Sequence, residues 1–155
     1  MCTGIALAMS ELPAGVTADP RVADRVYDRE GRKEMQFHWW QDPAFLPVRW
    51  EGQLRLLPWG CRHRRSVLPS GGWLPRERVE DGWFAGAGAE PVIVPANLGH
   101  HNGTWFLISV GIHGLVLRDR NGRPVVYLLT EPSTNYYRNM TEQEPMMPAL
   151  VGQVI

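Results

Sequence analysis

Apolar and polar positions alternate over short stretches of this chain more often than they recur at helical spacing, which predicts a fold built mainly from short strands. Residues 5–9 (Ile-Ala-Leu-Ala-Met) read as a first strand that tethers the N-terminus to a sheet. Asp19-Pro20 then reads as the N-cap and first position of a helix. Val22, Ala23 and Val26 would share one face of that helix, and Gly31 would end it. Residues 37–47 are aromatic and broken by proline, the pattern of a structured loop. Residues 47–50 and 53–59 alternate around Glu51-Gly52 and predict a β-hairpin.

A basic loop is expected to follow through Gly72, then a short helix over 76–84 that the Gly-Ala run at 85–89 terminates. Residues 92–94 form a compact strand. The stretches 104–117 and 124–129 flank Asn121-Gly122, the strongest hairpin signal in the sequence. A last strand is expected over 147–155, interrupted at Gly152. No repeat, linker or low-complexity segment breaks the chain. The order predicts an α+β domain spanning 1–155: compact and β-rich, with a curled or barrel-like, mostly antiparallel sheet and one or two short helices. Thirteen Pro, sixteen Gly and seven Trp reinforce the turn-rich reading.

Charge alters this picture only locally. Sixteen basic and sixteen acidic residues cancel, so no polyanion partner follows from net charge. Residues 61–80, however, carry five Arg (62, 64, 65, 76 and 78) and His63 against two Glu, enough for a basic face on a neutral protein. Two cysteines, Cys2 and Cys61, suit a reducing compartment better than a disulfide scaffold. No apolar run approaches the roughly 18 residues of a membrane span, and no basic-then-apolar leader opens the chain. The expectation is a cytoplasmic protein without a membrane partner.

The candidate chemistry begins at Met1-Cys2. Loss of Met1 would leave Cys2 with a free α-amine and a thiol on adjacent carbons. Their ordinary pKa values, about 7.7–8.0 and about 8.5, leave both a usable nucleophilic fraction near neutrality. The amine can condense with an aldehyde to an imine, and the thiol can close a thiazolidine in a step whose positional entropy is largely prepaid. An internal cysteine such as Cys61 lacks the amine. The plain alternative is that Cys2 merely follows the start codon.

Further motifs line up in order: Pro47-Val48-Arg49, Trp59-Gly60 after a strand, Arg76-x-Arg78-x-Glu80, Pro95-Ala96, Tyr127-Leu-Leu-Thr130, and Met147-Pro148-Ala-Leu-Val151. With the N-terminal Met-Cys, this series resembles the SRAP family (SOS response-associated peptidase) over nearly the whole chain. The resemblance implies a compact, β-rich α+β domain with a basic groove. It also implies capture of abasic-site aldehydes in single-stranded DNA as a thiazolidine on the N-terminal cysteine, with a Glu and a His transferring protons. The peptidase label would refer to removal of the residue before Cys2, so the protein would act as a hydrolase or lyase in DNA-damage repair, with no cofactor. Laid on the family pattern, the catalytic Glu position falls on His101 and the catalytic His position on Glu144. The acid and the base have exchanged places, and a shift of one residue would nominate His100 instead of His101.

Arg78 falls on the family's DNA-binding Arg, Arg76 on its Asn, and Trp59 on the Trp of Trp-Gly, whose indole can stack on a base. Thr3-Gly4 replaces the family's Gly-Arg. The expectations are therefore specific. Cys2, His101 and Glu144 should converge in one concave site, and Arg78 should line a groove leading to it. Each residue keeps a plain alternative: a polar turn for His101, a solvated loop carboxylate for Glu144, a solvated face for the arginines, and core or platform alike for Trp39 and Trp40. Cys61-Arg62-His63 has no second ligand pair at zinc spacing, and no Gly-x-Ser-x-Gly marks a serine nucleophile. Two other functions stay open: a catalytically decayed nucleic-acid-binding or accessory member without crosslinking activity, and a thiol hydrolase on a small substrate.

Overall fold

The tight turns at Glu30-Gly31, Glu51-Gly52 and Asn102-Gly103 all adopt positive φ at both residues, the conformation that matches the twist of a two-residue hairpin. In a computed structural model describing residues 1–155, these turns join strands into two packed sheets. In chain order the elements are β1 (Gly4–Ala8), α1 (Ala14–Thr17), β2 (Val26–Arg29), β3 (Arg32–His38), β4 (Phe45–Trp50) and β5 (Gln53–Pro58). There follow β6 (Trp73–Pro75), α2 (Arg76–Glu80), β7 (Glu90–Pro95), β8 (Leu98–His101) and β9 (Thr104–Leu107). The chain finishes with β10 (Gly111–Arg118), β11 (Pro124–Pro132), α3 (Asn135–Met140) and β12 (Met146–Pro148). One sheet runs β2-β3-β1-β8-β9. The other runs β12-β11-β10-β7-β4-β5, with β6 paired to β11. Every ladder is antiparallel except β6–β11. The α+β, β-rich expectation holds; neither sheet closes into a barrel.

The main core lies between the sheets. Ile5, Leu7, Met35 and Phe37 from the first meet Leu46, Val48, Val94, Ile112, Val126 and Leu128 from the second. Alternate residues of β10 and β11, among them Leu115, Leu117, Tyr127 and Leu129, fill a smaller core on the second sheet's other face, under Leu68 and Leu74. This two-sided burial is why both strands read as continuous apolar runs. Each fully enclosed Leu or Phe contributes about 1.5–3 kcal/mol relative to its exposed state.

Several expected boundaries are corrected. The helix expected from Asp19 to Gly31 is absent. The Asp19 carboxylate instead accepts from the Arg21 backbone N–H at 2.9 Å and from its guanidinium at 2.7 Å, a local turn that competes with helix capping. Residues 26–29 then pair with 32–35 as a hairpin. The loop expected over 37–47 shrinks to 39–44, because β3 runs through His38 and β4 starts at Phe45. The stretch 104–117 is two strands in different sheets, with Gly111 at the crossing. A Cβ there would lie 2.4 Å from the Val94 carbonyl oxygen, so only glycine lets the chain pass. The strand expected over 147–155 is three residues long, and α3 was not foreseen at all.

Candidate active site

β1 is the central strand of the first sheet and delivers the N-terminus into the main core. Its neighbours are β3 and β8, with Gly4 opposite both His38 and His100. The pairing extends one residue outward: the Thr3 N–H donates to the His100 carbonyl at 2.8 Å, and the Trp39 N–H donates to the Thr3 carbonyl at 2.9 Å. The Cys2 carbonyl accepts from the Trp73 indole at 2.9 Å. Cys2 is thus fixed on both sides, and its side chain is 0% exposed.

Three expected residues meet here. The Met1 ammonium lies 3.0 Å from Glu144 Oε1. His101 Nδ1 contacts the Met1 carbonyl oxygen and lies 3.4 Å from the Met1 nitrogen. His101 Nε2 lies 3.8 Å from Glu144 Oε2. The ring thus bridges the Met1 carbonyl through Nδ1 and the Glu144 carboxylate through Nε2. The register of β8 decides between the two histidines. His101 points inward and is buried, whereas His100 points to the opposite face beside Trp105. The polar turn is confined to Asn102-Gly103.

Burial pushes the Cys2 thiol above its ordinary pKa, while backbone hydrogen bonds at His100 and Gly4 pull the other way. Burial lowers the Met1 amine, and hydrogen bonding and charge from Glu144 oppose it. A fourth residue joins the group. Tyr137, on α3, is fully buried, stacks edge-on against Phe106, and faces His101 with ring centroids 6.5 Å apart. Its hydroxyl has no hydrogen-bond partner. Burial, then the charges of Cys2 and Glu144, raise its pKa and keep it a neutral phenol. The one advance signal was Thr134, an N-cap residue three positions before Tyr137.

The residues expected to bind DNA fare differently. Trp59 is 2% exposed; its indole N–H donates to the Gly72 carbonyl at 2.9 Å, and its ring packs among Trp39 and Trp73. It is a core residue and offers no face to a base, which corrects the stacking expectation. Arg76 lines the cavity beside α2 but sits between Glu80 at 3.3 Å and Glu131 at 3.5 Å, which neutralise it. Arg78, expected in a groove leading to the Cys2 site, does not line this cavity; its guanidinium lies over the exposed Trp83 ring, 4.7 Å from the centroid. Their i, i+2 spacing on α2, little more than half a turn, sets these two arginines on different sides. No cluster of three or more His, Cys, Asp or Glu has the arrangement to hold a metal ion, and no helix is long and apolar enough to cross a membrane.

Comparison with known proteins yields no matching family model, curated protein or solved structure.

Proposed function

We propose that the protein is SRAP-like: it removes its own Met1, then captures abasic-site aldehydes in single-stranded DNA through the α-amine and thiol of Cys2. The observation that carries this reading is the convergence of His101 and Glu144, from distant segments, on the Met1–Cys2 peptide bond. Glu144 anchors the amine of the residue to be removed. His101 donates to its carbonyl, where negative charge develops if the Cys2 sulfur attacks that carbon. Sulfur attack with transfer of the thiol proton to the Cys2 nitrogen breaks the peptide C–N bond and leaves a thioester. Water then hydrolyses the thioester, releasing methionine and restoring the thiol. The new α-amine condenses with an aldehyde, losing one water, and addition of the S–H across the resulting C=N closes the thiazolidine. The exchanged carboxylate and imidazole serve as the proton-transfer pair, because such work needs one of each within reach, whichever segment supplies it.

A second reading, a nucleic-acid-binding member without crosslinking activity, is favoured by the complete enclosure of the Cys2 sulfur with Met1 in place. Intact mass of untagged protein separates the two. Under the first, Met1 is absent from the wild type and retained in Cys2→Ala, and Glu144→Gln slows its loss by about 10²-fold or more, the usual scale for a general acid–base group. The processed protein then forms a heat-stable adduct with single-stranded DNA carrying one abasic site. Cys2→Ser gives no stable adduct, and Cys61→Ser behaves as wild type. Met1 retained in the wild type, with no adduct, would leave the second reading.

A further inference from the structure

Trp40 is the large aromatic that the structure exposes next to the Cys2 strand. The residue is 68% exposed. Its inner face stacks on His38, with centroids 5.3 Å apart and planes 21° from parallel. His38 is itself immobilised: Nε2 donates to the Gln36 side-chain oxygen at 3.0 Å, and the Gln36 amide nitrogen donates to Glu34 at 2.9 Å. The outer indole face is therefore flat, fixed and open.

The turn that carries it is clasped from outside. The Arg62 guanidinium lies 4.1 Å from the Trp39 ring centroid and donates to the carbonyls of Trp39 and Gln41, the residues on either side of Trp40. This clasp ties Arg62, the start of the exposed segment 62–67, to the turn that carries Trp40. Arg64 and Arg65 in that segment are exposed and have no carboxylate partner, unlike Arg21, Arg29, Arg55 and Arg76. The Trp39 N–H bonds to the carbonyl of Thr3, the residue after Cys2, so the platform begins one residue from that contact.

We propose that Trp40 is a base-stacking platform for single-stranded nucleic acid and that Arg64 and Arg65 contact its phosphates. An open π-face stacks on any base, and adjacent unpaired guanidiniums suit a repeated anion. A duplex keeps its base faces stacked internally and cannot use the indole. A purely acidic peptide would use the arginines alone. The assignment rests on the proposed function for the path of the strand towards Cys2, but binding of an undamaged strand needs neither the thiol nor a lesion.

The test is fluorescence anisotropy of the full chain with labelled, undamaged oligo-deoxythymidylate across a salt titration. Trp40→Ala should weaken binding by about 5- to 100-fold, from the usual range for one stacked base, and Trp40→Phe should restore most of it. Arg64→Ser with Arg65→Ser should lower the slope of log affinity against log salt by about 0.7 per phosphate lost. Binding of a duplex should be insensitive to Trp40→Ala. A parallel series with oligo-uridylate assigns the platform to DNA or RNA by which strand binds tighter. Wild-type affinity and slope in these variants would overturn the platform, as would no binding of either strand at low salt. If the abasic-site adduct still forms in either case, only the platform has failed and the proposed function stands.

Discussion

His100 and His101 are neighbours in sequence with opposite fates. His101 closes on Met1 and Glu144, while His100 turns outward to Trp105. That one of the two would serve the site followed from the two-residue period of a strand; which one depended on where β8 begins, and the sequence does not mark that register. Tyr137 was invisible for a different reason, since nothing in a tyrosine's neighbours announces an unpartnered hydroxyl. Because the hydroxyl is buried without a partner, it carries an unrecovered desolvation cost. Tyr137→Phe keeps the ring against Phe106 and removes that cost, so stability measured by urea unfolding should rise by roughly 1 kcal/mol. A fall of similar size would mean that the hydroxyl is bonded in solution.

At the scale of elements, hairpins were more legible than helices, of which only α2 (Arg76–Glu80) falls where a short helix is expected. Asn121-Gly122 and Glu51-Gly52 sit where a two-residue period changes direction, so turn chemistry and pattern agree. Asp19-Pro20 carried an equally plausible helix signal, but the same carboxylate satisfied a local turn instead. The six-residue α3 is too short for a helical period to appear, although its cap is conventional: the Thr134 hydroxyl accepts from the Tyr137 N–H at 3.2 Å. Thr134→Ala should therefore cost about 1 kcal/mol of stability by urea unfolding. It should also raise hydrogen exchange within α3 before that of the sheets, since the cap acts on this element alone. Unchanged exchange in α3 would show that packing of Tyr137, not the cap, holds the helix.

For the molecule as a whole, the buried imidazole at the junction of β1 and β3 couples stability to pH. Burial, assisted by the charge of His100, lowers His38 from 6.5 to about 4. The unfolded chain takes up this proton near pH 6.5 and the native chain only near 4, so protons favour unfolding. The contribution is complete above about pH 6.5 and is lost as pH falls to about 4, by roughly 2–3 kcal/mol. His38→Phe should flatten the stability profile across that window, and an unchanged slope would assign the acid sensitivity to other groups. Sequence by itself determined the β-rich class, the hairpins at Glu51-Gly52 and Asn121-Gly122, and, through the family resemblance, the nomination of Cys2, His101 and Glu144, because alternation, turn residues and motif order are local or one-dimensional properties. Only the tertiary structure decided that Trp59 lies inside while Trp40 faces out, that Arg76 is neutralised, and that Tyr137 joins the Cys2 site. Those outcomes depend on which surfaces two curled sheets bury against each other and which carboxylates that packing brings close. No residue carries that information in its own neighbours.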